Sequence, residues 1–235
     1  MNKFKKTGIG LLVMALSVAA LAVQDAVSIK RVAKAGDSAK YRLKADIDFQ
    51  GMEANFTALV LEKITKIETN GNYVVESTYS EGKVVFSGQE MDAPGTTSTY
   101  TYKPTGEVVS IVAETVDSNV YRTAHLTSFV VPDKALKVGD EWATEIKKDE
   151  KTGAVAAKGA YKIEAEEKVG DFETFKVKYS TKESEGGDTA AVCEGVAWVN
   201  KKDGSLVKTE GVWKNVPFPG APAPLNAKFT MVREK

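Results

Sequence analysis

The chain has 235 residues, with 32 basic and 32 acidic side chains, and its formal net charge is zero. Its lysines and arginines are scattered rather than gathered in a stripe, which argues against binding to nucleic acid and against strong binding to anionic lipid. A single cysteine excludes an internal disulfide, and one histidine beside one cysteine excludes a zinc site built on these ligands. We therefore expect a protein stabilised by its hydrophobic core, with no metal and no cofactor.

The N-terminus has the order of features that defines a secretory signal peptide. Three lysines precede an uncharged run from Thr7 to Val23, which contains the small-x-small sequence Ala20-Leu21-Ala22. We expect residues 1–22 to be removed by cleavage after Ala22, which leaves a net charge of −3. An uncleaved membrane anchor is the alternative, because ~20 apolar residues span a bilayer. The favoured interpretation is an exported protein of the periplasm or extracellular space, without a stable membrane anchor after cleavage.

Strand patterns follow. From Ser38 to Phe49 apolar and charged side chains alternate strictly, which indicates a strand with one wet face. The next strand keeps an apolar phase from Met52 to Val60 and then drifts, so we expect a bulge near Leu59 to Glu62. Junctions at Glu81-Gly82 and at Lys103 to Gly106 predict hairpin turns, because glycine supplies the positive φ that a tight turn needs. The sheet is therefore expected to be antiparallel.

The period changes after Glu114. Val120 and Ala124 repeat at helical spacing, an Asp-Ser pair can cap the first turn, and Pro132 prevents continuation. We predict one short helix, from about Ser118 to Phe129, within a bridging segment of residues 117–132.

Strand patterns resume near Trp142 and bring the expected total to about eleven strands. Turns are predicted at Val169-Gly170-Asp171 and at Lys202-Asp203-Gly204. The sequence PFPGAPAP, residues 217–224, is too rich in proline for an inner strand and predicts a surface loop.

The two parts of the chain echo each other. Lys34-Ala35-Gly36-Asp37, leading to Tyr41, matches Lys137-Val138-Gly139-Asp140, leading to Trp142. This suggests two tandem β-repeats, residues 23–116 and 133–235, joined by the helix. Chance similarity between β-hairpins is the alternative. The expected fold class is mainly β, as a curved antiparallel sheet or half-barrel or as a pair of small barrels.

The second part carries a recognisable motif. Residues Pro132 to Trp142 follow the pattern P-x-x-x-L-K-V-G-D-x-W, and AWVNKKDGSLVKTEG lies downstream. This region resembles uncharacterised secreted bacterial β-repeat proteins that are distantly similar to the LolA and LolB lipoprotein carriers. The resemblance covers mainly residues 118–213. It implies a curved antiparallel sheet closed by a helix, with an apolar concave face that holds lipid or acyl chains, and it transfers no functional residue.

The residues give no catalytic set. His125, the only histidine, falls in the predicted helix without a nucleophile pattern around it. Asp46 and Asp48 share the polar face of a strand, where lysines alternate with them, and this is typical of solvation and edge protection. Cys193 lies in an apolar stretch and is expected to be a buried, inert thiol. We therefore expect that the protein is not an enzyme.

Aromatic residues on apolar strand phases are the remaining candidates. Such residues either fill a core or line a cavity. If they line a cavity, the ligand-binding candidates are Tyr41, Phe56, Trp142, Tyr161 and Trp198. The favoured function is a non-catalytic exported binding protein for an apolar or amphipathic ligand, with lipid or a lipoprotein as partner. The alternative is an envelope or extracellular module that binds a protein or glycan through a sheet edge or the PFPGAPAP loop.

Overall fold

A computed structural model describes residues 25–49, 51–218, 221 and 223–235, so the predicted signal peptide lies outside the described residues. The described chain is an all-β structure with one α-helix and one short 3-10 turn at Gly187–Thr189. In chain order the elements are β1 (Ser38–Phe49), β2 (Met52–Ile67), β3 (Tyr73–Phe86), β4 (Gln89–Ala93), β5 (Thr96–Tyr102), β6 (Val108–Val112), α1 (Ser118–Thr127), β7 (Glu141–Ile146), β8 (Ala157–Val169), β9 (Phe172–Glu183), β10 (Val192–Asn200), β11 (Leu206–Val216) and β12 (Leu225–Arg233).

All twelve strands belong to one antiparallel sheet. Its order is β6-β5-β3-β2-β1-β12-β11-β10-β9-β8-β7, with β4 paired to β3 alone. The first and last strands, β1 and β12, therefore meet in the middle, and each half of the chain winds outward from them to a free edge. This confirms the predicted curved antiparallel sheet and decides between the two forms expected, because the sheet is continuous and unclosed rather than a pair of barrels.

One predicted turn is wrong. The chain does not reverse at Glu81-Gly82, because β3 runs through both residues and turns only after Phe86, at Ser87-Gly88. Glu81 has a φ of 49°, and the β2–β3 register shifts beside it, between Thr57 and Leu59. The positive φ belongs to Glu81 at a bulge within a long strand, and not to Gly82, which was expected to make the turn. The described chain has twelve strands where about eleven were expected.

The predicted helix is confirmed, and it joins the two free edges of the sheet. Asp117 caps α1, because its side chain accepts a hydrogen bond from the Val120 amide at 3.0 Å. Arg122 donates two hydrogen bonds of 2.9 Å to Glu183 on β9. Leu126 packs into a small core on the same side, with Ala157, Ala191, Cys193 and Val216. The helix is therefore held against the second half of the sheet.

The two halves share a turn geometry as well as an order of strand pairing. The Gly36 amide donates to the Ile64 carbonyl at 2.8 Å, and the Gly139 amide donates to the Ile163 carbonyl at 2.9 Å. A register shift follows each isoleucine. When the two halves are aligned on these bonds, Trp142 corresponds to Ala39 rather than to Tyr41. The predicted match of Tyr41 with Trp142 is therefore wrong by two residues. The origin of the halves by duplication stays a prediction.

Residues 25–37 form a segment, here called the crossing segment, that runs across one end of the sheet. Val27 pairs with Leu136 in an antiparallel bridge. The Arg31 amide donates to Pro104 in the β5–β6 turn, and the Val32 amide donates to Asp203 in the β10–β11 turn, both at 2.8 Å. The crossing segment therefore ties together the turns at this end of the two halves.

Candidate functional site

A cavity of about 1180 Å³ lies on the concave face of the sheet. Small-molecule pockets typically enclose roughly 300–1,000 Å³, so this cavity has room for a sizeable ligand. Strands of the first half, β10 to β12 of the second half, the crossing segment and one face of α1 line it. The inward-facing side chains of these strands alternate along the chain, as the sequence pattern predicts; on β1 they are Tyr41, Leu43, Ala45 and Ile47. The helix contributes Val120, Thr123, Ala124 and Thr127.

One row of side chains beside the cavity differs between the halves. In the second half the row that crosses β7, β8 and β9 is aromatic, formed by Trp142, Tyr161 and Tyr179. The corresponding row in the first half is formed by Ala39, Glu62 and Ser77. Three small or flexible side chains thus replace three large rings at equivalent positions of the ladder. The second half is filled by its aromatic core, whereas the first half leaves open space.

One end of the cavity is charged, and we call it the polar end; it consists of Arg31, Glu62 and Arg233. The Arg31 guanidinium donates to the Asp203 carbonyl at 3.1 Å and lies 3.5 Å from the Asp203 carboxylate. Arg233 donates to the Ser205 hydroxyl at 3.3 Å, and its guanidinium stacks over Phe172 at 4.9 Å. In the described part of the chain, Glu62 and Arg233 have no ion pair within 4.0 Å.

Burial raises the pKa of the Glu62 carboxyl above its usual range, while the nearby Arg31 and Arg233 act in the opposite direction. The Glu62 side chain is half-buried, and it faces the cavity rather than the outer surface. Desolvation is the larger influence because no guanidinium pairs with it directly. Glu62 therefore takes up a proton more readily than an ordinary glutamate does.

Tyrosines surround the polar end. Burial raises the pKa of Tyr41, Tyr73, Tyr79 and Tyr102 above the ordinary phenol value. These phenols therefore stay protonated at physiological pH and offer hydroxyl groups rather than charges. Tyr41 already uses its hydroxyl, which donates to the Leu206 carbonyl at 3.0 Å.

The other end of the cavity is apolar, and we define it by Ile47, Phe56, Trp213 and Phe229. The rings of Trp213 and Phe229 lie 4.9 Å apart. The indole nitrogen of Trp213 is buried and has no hydrogen-bond acceptor among the described residues. On β1, Tyr41 lies at the polar end and Ile47, six residues further on, lies at the apolar end. A strand rises ~3.3 Å per residue, so the two ends are roughly 20 Å apart.

The sequence-predicted ligand residues fall in three places. Tyr41 and Phe56 line the cavity. Trp142 and Tyr161 stack on each other with ring centroids 5.1 Å apart in the core of the second half. Trp198 faces away from the cavity, where its indole donates to Glu167 at 2.7 Å and Lys208 lies 4.2 Å from its ring centroid. The structure therefore brings two of the five to the cavity, and their role in binding stays a prediction.

Sequence reasoning missed Glu62, Arg233 and Trp213. A signal was present for the first two, because each continues an apolar strand phase, after Val60 and Met231 respectively. A charged residue on an inward phase is costly unless it has a use. Trp213 was harder to place, because β11 carries polar residues in both phases and its register shifts.

The described residues offer neither a metal centre nor a membrane-spanning helix. No group of three or more His, Cys, Asp and Glu side chains there is placed to hold a metal ion. None of the helices in that part of the chain has the length and apolar character to cross a membrane.

Comparisons with known proteins found distant structural similarities. No family model matches the sequence, and no curated protein matches it. An exported-protein candidate from Bacteroides fragilis with a YmcC-like fold is 14% identical, with a TM-score of 0.37 over 90% of this chain and 100% of the other. A lipoprotein candidate from Parabacteroides distasonis is 15% identical, with a TM-score of 0.36 over 90% and 99%. A DUF1329 family protein from Desulfovibrio piger is 11% identical, with a TM-score of 0.23 over 85% of each chain. These similarities are too distant to transfer a function.

Proposed function

We propose that this chain is an exported, non-catalytic binding protein that carries an apolar or amphipathic ligand, such as a lipid or acyl chain, on the concave face of its sheet. The observation that carries this proposal is the cavity of about 1180 Å³ between the concave face of the sheet and α1. The signal-peptide pattern of residues 1–22 supports export to the periplasm or extracellular space.

The shape of the cavity suits a long, thin ligand. Inward side chains of β1, β2 and β12 form an apolar floor, and α1 covers it without filling it. Each methylene group that moves from water onto this floor contributes about 0.8 kcal/mol. An acyl chain is therefore the simplest ligand that gains from the whole length of the floor.

Ligand carriage is tested first on the protein from its native host. The mature protein is purified, denatured and extracted, and the extract is analysed for lipid by mass spectrometry. A stoichiometric lipid is expected. Recovery of a lipid-free protein that also fails to bind added tetradecanoate or tetradecanol would contradict the proposal.

Binding in solution is measured by tryptophan emission, because Trp213 lines the cavity whereas Trp142 and Trp198 do not. Titration with tetradecanol should change the emission of the wild-type protein. Trp213→Phe should abolish most of this change, and Trp198→Phe, on the outer face, is the matched control that should retain it. An emission change that survives in Trp213→Phe would place the ligand elsewhere.

A second candidate function is an interaction module for a protein or glycan. Edge strand β6 favours it, because Val109 and Val112 are 45% and 66% exposed beside an unpaired sheet edge. If the chain is an interaction module, charged substitutions at these two valines should abolish binding of its protein or glycan partner. If the chain is a carrier, the same substitutions should leave tetradecanol binding intact.

A further inference from the structure

The polar end of the cavity has an arrangement of charges that an apolar ligand alone would not need. Glu62 on β2 and Arg233 on β12 both face the cavity from the two sides of β1, yet neither forms an ion pair within 4.0 Å in the described chain. Leaving a buried or half-buried charge without a direct partner costs free energy. The equivalent row of the second half carries no charge, because Tyr161 stands where the first half has Glu62.

The other charged groups at this end are already in use. Asp203 lies beside Arg31, and its carboxylate also accepts from the Ser205 amide at 2.9 Å. The Asp37 carboxylate accepts from the Lys34 amide at 3.1 Å in the turn before β1. Arg233 is therefore the cation with capacity left for a ligand, because its single hydrogen bond among the described residues goes to the Ser205 hydroxyl.

We propose that the polar end binds the carboxylate head of an acidic single-chain amphiphile, with Arg233 as its principal donor and the tail directed toward Phe56 and Trp213. The head lies between Arg233 and Glu62, where the guanidinium supplies a charge-assisted hydrogen bond. Glu62 borders the same space, where its carboxyl can donate to the head only when it carries a proton and repels the head when it does not. This inference rests on the proposed function, because it names the ligand class of the same cavity.

Arg31 and Asp203 are paired and Asp37 is bonded within its own turn, so Arg233 and the neighbouring hydroxyls are the donors left for an anionic head. Two guanidinium groups face this end, and the row that crosses it continues from Glu62 to the hydroxyls of Ser77 and Ser98. Glu62 is the one carboxylate there without a bond of its own. A head with a positive charge would meet Arg31 and Arg233 at close range, and the repulsion would weaken its binding.

The experiment compares three probes that share a tail and differ in the head: tetradecanoate, tetradecanol and tetradecylamine. Affinities are measured at pH 7 from Trp213 emission. The wild-type protein should bind tetradecanoate more tightly than tetradecanol, and tetradecylamine more weakly than both. Arg233→Gln should weaken tetradecanoate binding about 10-fold to 100-fold, because it removes a charge-assisted hydrogen bond, and should leave tetradecanol binding unchanged.

Two further variants complete the test. Arg42→Gln, on the opposite face of β1 where Arg42 pairs with Glu81 and Glu234, is the matched control and should change neither affinity. Glu62→Gln should retain or improve tetradecanoate binding, because glutamine keeps a donor and removes a negative charge.

The outcomes separate the inference from the proposed function. Equal affinities for the acid and the alcohol, unchanged in Arg233→Gln, would overturn the head-group inference while leaving the carrier function in place. Tighter binding of tetradecylamine, lost in Glu62→Gln, would overturn it as well. Failure of all three probes to bind would remove the carrier function and the inference together. Retained tetradecanol binding shows that each variant is folded.

Discussion

Glu62 shows how one residue changes the use of a β-ladder. Its side chain occupies the inward phase of β2, between Val60 and Ile64, where a sheet normally places apolar groups. Tyr161 holds the equivalent position in the second half and stacks on Trp142. A carboxyl group in place of a ring leaves space and introduces a group whose charge is disfavoured by its surroundings. The site is thus built at the expense of local stability.

Glu62→Gln should make the protein more stable at pH 7. Burial raises the pKa of Glu62 in the folded state, so the folded protein holds this proton more tightly than the unfolded chain does. The free energy of unfolding should therefore fall as the pH rises above the ordinary glutamate range of about 4.3. Glutamine has no such dependence. Urea denaturation across pH 4 to 8 should show the two proteins converging at the acid end.

The control for this prediction is Glu53→Gln, which removes an exposed carboxylate from the same strand. It should not reproduce the gain at pH 7. A constant difference between wild type and Glu62→Gln at every pH would show that the effect comes from packing rather than from the proton.

At the scale of elements, α1 depends on one ion pair with β9. Glu183 is only 5% exposed and accepts two hydrogen bonds from Arg122 and one from the Ala191 amide. Arg122→Met should lower the free energy of unfolding by about 3 kcal/mol, because it leaves a buried carboxylate without its cation. The double variant with Glu183→Gln should recover part of the loss. If the double variant is no better than the single one, packing of the arginine stem explains the effect.

The crossing segment offers a second test at this scale. Gly204 has a φ of 67°, and a Cβ there would lie 2.4 Å from the Ile29 carbonyl oxygen. Gly204→Ala should cost about 3 kcal/mol, from left-handed strain together with the clash. Gly36 has a φ of 93° with no atom near its Cβ position, so Gly36→Ala should show the strain alone, about 1–2 kcal/mol. Equal losses in urea denaturation would argue against the close approach.

Alternation along strands and capping residues were enough to predict the elements and their antiparallel arrangement. The position of the β3 turn was missed, because a bulge at Glu81 and a turn at Ser87-Gly88 both need positive φ, and the sequence signals are alike. Pairing of Tyr41 with Trp142 failed because the Gly-Asp motif, which bonds to Ile64 and to Ile163, sets the register, and Tyr41 lies five residues after its glycine whereas Trp142 lies three after its own. Periodicity tells which side chains face inward, and it does not tell whether the interior is filled.

For the whole molecule, the central fact is that one continuous sheet has a filled half and an open half. The order of strand pairing is the same on both sides of the β1–β12 junction. One row has rings in the second half and Ala39, Glu62 and Ser77 in the first, and the next row is reversed, with Tyr41 and Tyr79 in the first half and threonines in the second. The filled half supplies a rigid wall to which α1 is attached. The open half is then free to hold a guest without loss of the fold.

This division predicts that a ring at one position should close the cavity. Ser77→Tyr introduces the side chain that Tyr179 provides at the equivalent position of the second half. The variant should fold, with a thermal midpoint at least equal to that of wild type, because the new ring enters existing space. Its affinity for tetradecanol should fall at least about tenfold, since excluding even two methylenes costs about 1.6 kcal/mol. Thr78→Tyr, which adds the same ring to the next residue of β3 on the outer face, should bind normally. Full tetradecanol binding by a folded Ser77→Tyr protein would show that the ligand does not occupy the space that distinguishes the two halves.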